Sequence, residues 1–435
     1  MRVATETYPY AKTTSIGLFV DTGSRYEDEA TNGVAHFLEH LSFKGTKNRS
    51  REKLEVEIEN HGAHLNAYTT REQTVFFSQS TANKAGAMVD IIADVVQNSI
   101  FSDSAVERER SVILQEAQEV NKIPEEVVLD HLHATAFQKS PLGHTILGPI
   151  SNIRSITRDD IVKYVQTHYV APRMVLVGAG DIEHGALVKM AEKAFGSLPT
   201  EGPTREELLA KQNPYFTGSD VRIREPDMET CNFAVAFEGL SHTDPDLPAL
   251  MLLQKSIGEF NEAASTDHHK GSTLASRLAY SGLASSMFAF ATPYHDTGLF
   301  GVFCAAKGVE GDGLQHAAIN VMRAFTEPIY DTNERMLDNL TRARNQLKSA
   351  MLAQQGSMAS VATDIGTQLL TLGRRMPKEE MFARLDAVTA NKIQAVAERV
   401  VFDKDPAVAA FGETFYLNRY CDYNWIKRRS YQQRY

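Results

Sequence analysis

The chain has 435 residues, 45 basic against 55 acidic side chains, and a formal net charge of −10. At about 100–200 residues per domain two to four domains fit, and 43% hydrophobic with 23% charged residues excludes a chain disordered overall. The acidic balance excludes a generic nucleic-acid binder, which needs a basic surface, and no apolar window approaches the roughly 18 residues that span a bilayer. Three widely spaced cysteines, Cys231, Cys304 and Cys421, supply neither a disulfide framework nor a thiolate metal site. Such cysteine usage favours a reducing compartment.

In chain order, residues 15–21 alternate as a strand, an acidic loop follows, and a helical period starts near Val34. Residues 103–121 form a long helical pattern whose Ser and Asp start supplies N-caps. A helical start near Ile156 precedes a strand over 174–177 and Gly178. Residues 198–220, polar and broken by prolines, read as a linker. The second half repeats this order: a strand over 232–238, an acidic loop, a helical run from Leu247, a long helix over 333–354, and a strand over 407–411 with Gly412. Val388 stands 232 positions after Ile156. The echoes predict an internal duplication: an N-terminal domain over 1–200, a linker over 201–222 and a homologous domain over 223–435.

The chemistry lies in His36-Phe-Leu-Glu-His40. Helix positions four apart share a face, so both imidazoles can grip one metal ion. Glu39, about 100° round the helix, can reach a metal-bound water without being a ligand. H-x-x-E-H inverts the zinc-peptidase signature H-E-x-x-H. A catalytic zinc takes three protein ligands and keeps one position open, so a carboxylate must come from elsewhere. The helix over 103–121 offers Glu107, Glu109, Glu116 and Glu119. Glu109 and Glu116 share a face, one to bind metal and one to stand behind, and spacing alone does not choose between them. Glu107 and Glu119 read as a solvated face. The second repeat has no ligand types in the corresponding stretch near Leu252-Leu-Gln-Lys255, so only one half can hold this metal. His268-His269 and His131-Leu-His133 are expected to be solvent-exposed.

With Glu116 76 positions after His40, the chain resembles the pitrilysin-type (inverzincin) metallopeptidases. More narrowly it is similar to the processing-peptidase β subunits of mitochondria and their relatives, the core subunits of ubiquinol–cytochrome c reductase. The resemblance covers nearly the whole chain. Matching stretches are Asp21-Thr-Gly-Ser-Arg25, residues 33–45 (GVAHFLEHLSFKG), residues 64–72, Leu142-Gly-His-Thr-Ile-Leu-Gly148, Asp296-Thr-Gly-Leu299 and the tail over 422–431. It implies an α+β fold of two homologous α/β-roll domains, each a mostly antiparallel sheet covered by helices on one face.

The same resemblance implies Zn2+ held by His36, His40 and Glu116, with Glu39 as general base and Glu109 as a supporting carboxylate of the catalytic site. It implies that Glu126 and Asp130 bind the arginine two residues before the cleavage site, and that Phe43 meets the hydrophobic residue after it. Asn66 and Ala67 would lie on an edge strand that pairs with extended substrate. Each role is chemically sensible. Glu126 and Asp130, four apart, form a carboxylate fork suited to a guanidinium, though otherwise they read as a solvated helix face. Edge addition uses main-chain hydrogen bonds and so tolerates many sequences.

The implied partners are an α-type processing-peptidase subunit (core subunit 2), basic presequence peptides and other subunits of ubiquinol–cytochrome c reductase, with no nucleic acid and no direct membrane span. Residues 261–273 hold one glycine where α-type chains carry a glycine-rich loop, so this sequence is β-type. Residues 1–6 are expected to enter at the second strand of such a domain, without the customary first strand or an Arg- and Ser-rich targeting segment. A location on the matrix side of the mitochondrial inner membrane is therefore implied by resemblance only. Two readings follow: an active presequence-removing zinc endopeptidase, also serving as a core subunit, or a core subunit that keeps the fold without catalysis.

Overall fold

The computed structural model describes residues 1–212, 214–264, 272–307, 312–330, 334–415 and 417. The chain forms two compact units. The first comprises Met1–Glu119, Lys139–Pro214 and Leu352–Arg375; the second comprises Val120–Gln138, Tyr215–Met351 and the described residues of Met376–Tyr435. The predicted cut at 201–222 follows the chain, whereas each unit takes in a segment from the opposite half.

In the first unit, strands β1 (Arg2–Thr7), β2 (Thr13–Val20), β3 (His64–Thr69), β4 (Thr74–Thr81) and β5 (Met174–Gly180) make one sheet. Its order is β1-β5-β2-β4-β3, with only the β1–β5 pair parallel. Period-two alternation decides which side chains go where. Ile16, Leu18 and Val20 join Phe76 and Leu176 in a core shared with helices α1 (Val34–Leu41), α2 (Arg51–Asn60), α3 (Ala85–Asn98) and α4 (Asp103–Val120). Phe19, Val75, Val175, Val177 and Ala179 form a second cluster with Val361, Ala362, Ile365 and Leu370 of the helix Met358–Thr371. Gly366 lets that helix lie directly on the sheet: a Cβ there would meet the Phe19 ring at 2.3 Å.

The second unit repeats the plan. Strands β6 (Asp220–Arg224), β7 (Thr230–Glu238), β8 (Glu259–Asn261), β9 (Ala284–Pro293), β10 (Gly298–Lys307) and β11 (Ala407–Gly412) run in the order β6-β11-β7-β10-β9-β8. Again the first pair alone is parallel. Five strands thus match the first sheet position for position, and β8 is an added edge. The helix α5 (Pro124–Ala136), from the N-terminal half, packs on β11, β7 and β6.

The linker stretch is partly built into the first unit. Thr204 caps a short helix, Arg205–Leu209, through a reciprocal capping box with Glu207. Arg205 Nε donates to the buried Asp21 at 2.7 Å, and Gln212 Nε2 donates to Arg25 O at 2.9 Å. Residues 2–7 form the edge strand β1. Helix Glu334–Ala353 matches the predicted one, whose first residue, Asn333, lies outside the described residues, as do His268-His269, Cys421 and the tail over 422–431.

The prediction for His133 needs correction. It is buried, 7% exposed, with Nδ1 2.7 Å from Leu129 O and Nε2 2.7 Å from Tyr294 Oη. Its helical position faces the second sheet, so it is a hydrogen-bonded core histidine.

Candidate metal centre

Helix α1 has eight residues and presents two faces. Val34, Ala35, Phe37, Leu38 and Leu41 are buried in the first core. So short a helix is not stable alone; packing holds it, with a buried Phe or Leu side chain contributing roughly 1.5–3 kcal/mol. Gly33 starts it at φ +105°, where a Cβ would strike Leu147 O at 2.7 Å. That close approach explains the matched stretch 142–148: Gly148, at φ +80°, sits back to back with Asn32 and Gly33.

His36 and His40 fall one turn apart, their ring centroids 4.7 Å from each other. Helix α4 comes alongside. Its buried positions Ala105, Val106, Glu109, Ile113 and Ala117 make one stripe, with Glu109 inside it and Glu116 at its edge. Glu116 Oε2 lies 3.1 Å from His40 Nε2 and 3.7 Å from His36 Nε2. Glu109 Oε2 lies 3.6 Å from His40 Nδ1, and Lys44 Nζ donates to Glu109 Oε1 at 3.0 Å. One imidazole is therefore flanked by two carboxylates, one on each nitrogen. Glu107 and Glu119 are exposed, as expected.

Among the described residues, His36, His40 and Glu116 form the one group of three His, Cys, Asp or Glu able to hold a metal, with ligand atoms within 4.8 Å of one another. Donors about 2.1 Å from a tetrahedral ion stand about 3.4 Å apart, so the Glu116 contacts fit. Glu116 Oε2, the atom that faces both imidazoles, is buried with no hydrogen-bond partner, as a ligand to a cation would be. Burial, and then the neighbouring His40, lower the His36 pKa to about 4. The neutral imidazole is the form that binds a cation.

Glu39 stands beside this group. Burial pushes its carboxyl upward, and Thr69 of β3 draws it back through its hydroxyl and N–H. Glu39 Oε2 is shut from solvent.

The remaining predicted residues divide between the units. Phe43, just beyond α1, is half-buried against the first core. Asn66 and Ala67 lie on β3, the edge strand, where Asn66 is exposed and its Oδ1 accepts from Ala67 N at 2.9 Å. Glu126 and Asp130 lie on one face of α5, in the second unit, with Glu126 exposed and Asp130 half-buried. Lys44, Thr69 and Glu27 are absent from the sequence-based set. Lys44 carried a usable signal, since it follows His40 by four positions. Glu27 carried none, because what it touches depends on the loop that folds it back.

Residues 2–150 match the family described as Insulinase (Peptidase family M16), and residues 155–332 match the Peptidase M16 inactive domain. The chain belongs to peptidase family M16. Membership of this M16 family makes it a metallopeptidase, and His36, His40 and Glu116 all fall within the first of its two matched stretches. The chain is 47% identical over 435 residues to the probable mitochondrial-processing peptidase subunit beta of Arabidopsis thaliana, covering 100% of this chain and 80% of that one. It is 45% identical to the mitochondrial-processing peptidase subunit beta of Neurospora crassa, over 95% of this chain and 86% of that protein. With the Bos taurus subunit the identity is 42%, over 98% and 84%. A chain of complex III2 from Candida albicans, Inz-5 bound, superposes with a TM-score of 0.85 at 23% identity, covering 98% of this chain and 97% of that one. That likeness concerns the fold.

Proposed function

We propose that this chain is the catalytic, β-type subunit of a processing peptidase that removes N-terminal targeting presequences from imported mitochondrial proteins. The observation that carries the reading is the juxtaposition of His36, His40 and Glu116, ligand atoms within 4.8 Å, with Glu39 beside them. Relatives at 42–47% identity bear the name mitochondrial-processing peptidase subunit beta. His36, His40 and Glu116 would hold zinc, which when bound supplies Lewis-acid polarisation of the scissile carbonyl and activation of water. Glu39 accepts the proton of the attacking water and returns it to the leaving amine. Its carboxylate lies beside the ligand group with Oε2 buried and Thr69 as its neighbouring donor. Glu109 orients His40 through Nδ1, which leaves Nε2 for the metal.

In this reading, β3 accepts extended substrate along its open edge at Asn66 and Ala67, Phe43 meets the side chain after the cut, and Glu126 and Asp130 take the arginine two residues before it. An α-type subunit completes the enzyme on the matrix side of the inner membrane. A second role, as a core subunit of ubiquinol–cytochrome c reductase, is supported by the resemblance of the tail over 422–431; a fold shared with a complex III chain is compatible with it. Catalysis and assembly are separable. With an α-type partner, cleavage of a peptide carrying an arginine two residues before the cut is expected to stop with a chelator and resume with zinc. In Glu126→Gln/Asp130→Asn, kcat/KM should fall about 10- to 100-fold, the value of a charged hydrogen bond or two. Chelator-resistant cleavage would sink the enzyme reading, and absence of cleavage in an assembled complex would leave the core-subunit role alone.

A further inference from the structure

Helix α1 lacks a cap of its own. Its N-cap is Gly33, which has no side chain to accept from the first turn, and the first N–H groups of any helix need outside acceptors. Glu27 supplies them from six residues before Gly33. Its Oε2 accepts from Gly33 N at 2.8 Å and from Asn32 Nδ2 at 2.7 Å, and its Oε1 accepts from Ala35 N at 2.7 Å. The residue is 3% exposed. The loop that carries it is clamped in turn: Asn32 Nδ2 also donates to Thr145 O at 2.8 Å, and Asn152 Nδ2 donates to Glu29 O at 2.8 Å.

We propose that Glu27 is a positioning residue for the metal pair, fixing the rotation and pitch of α1 by holding the backbone of Gly33 and Ala35. This inference rests on the metal reading above. Ala35 immediately precedes His36, so the Oε1 bond holds the Val34–Ala35 peptide, one unit before the peptide that joins Ala35 to His36. Each residue turns an α-helix by about 100°; a two-turn helix released at its start can therefore carry His36 out of line with His40 and Glu116. The conservative replacement is informative: in Glu27→Gln one oxygen becomes an amide donor, which then faces either Ala35 N–H or the pair from Gly33 and Asn32.

The test measures zinc affinity by chelator competition, and the cobalt(II) absorption spectrum, in the full chain and three variants. Glu27→Gln is expected to bind zinc about 10- to 100-fold more weakly, the range for residues that orient metal ligands, with an altered cobalt spectrum and unchanged overall circular dichroism. Glu27→Asp should fall between it and the parent. Asp94→Asn, buried elsewhere in the unit, should lower Tm and leave zinc affinity within about twofold. Should Glu27→Gln lower Tm while keeping the parent's affinity and spectrum, the positioning role is overturned. If the parent itself binds no zinc, the metal reading fails first, and separately. Should neither Glu27 variant fold, hydrogen exchange on the parent decides: a protected Ala35 amide is expected, and an amide exchanging as fast as an exposed loop overturns the proposal.

Discussion

Asp94 illustrates how one carboxylate orders a loop, here residues 46–49. It is 5% exposed and accepts from Thr46 Oγ1 at 2.6 Å, Asn48 Nδ2 at 2.6 Å, Arg49 NH1 at 2.8 Å and Asn98 Nδ2 at 2.9 Å. Burial pushes its pKa up, but these four donors outweigh burial and hold it below the usual aspartate value. A depressed carboxyl stabilises the fold above its unfolded pKa and loses that contribution as pH falls through the folded value. Asp94→Asn should therefore cost about 2–4 kcal/mol near neutrality, and urea melts at pH 6 and pH 3 should show the penalty shrinking on the acid side. A penalty independent of pH would contradict the ionised assignment. At this scale much of the site was legible in the sequence. His36, Glu39 and His40 fall within five consecutive residues because one helix turn suffices to present them. Glu116 and Glu109 were legible only as a pair, since both lie on one face. What separates them is tertiary: Glu116 reaches both imidazoles, while Glu109 meets the far nitrogen of His40 and Lys44.

Elements fix these residues through close backbone approach. Gly33→Ala combines a left-handed φ of +105° with a Cβ 2.7 Å from Leu147 O, so a cost of about 1–3 kcal/mol is expected, with weaker zinc retention on chelator titration. A variant as stable and as metal-bound as the parent would show that α1 tolerates displacement. Gly366→Ala forces a methyl against the Phe19 ring. Overpacking of this kind costs about 1–3 kcal/mol, and thermal melts should register it although the position is far from the metal ligands in sequence. Strand β2 was readable from its alternation, because period two assigns Ile16, Leu18 and Val20 to one face. The occupant of the other face was not. Nothing in residues 13–20 says that Phe19 meets a helix more than three hundred residues later, and helix periodicity at 358–371 names a buried stripe without naming its sheet.

The whole chain is a duplication whose halves exchange covering helices: α5 lies on the second sheet, and the helix Met358–Thr371 lies on the first. A fragment ending at residue 222 would expose Phe19, Val75, Val175, Val177 and Ala179, all 0% exposed in the intact chain. Such a patch promotes association, so the fragment should bind a hydrophobic dye and melt without cooperativity; a cooperative melt matching the intact chain would deny the exchange its importance. The duplication was legible through echoes such as Ile156 and Val388, since both halves build the same strand order. The exchange was not, because α4 and α5 are neighbours in sequence and no composition break marks the change of unit. The central claim, one catalytic metal centre in the first unit served by Glu39, is tested most directly by paired metal analysis and presequence-peptide cleavage on the parent, His40→Ala and Glu39→Gln, each assembled with an α-type partner. The expected result is about one zinc per chain with cleavage in the parent, neither in His40→Ala, and zinc without cleavage in Glu39→Gln. Sustained cleavage by Glu39→Gln, or a parent that cleaves without metal, would contradict it.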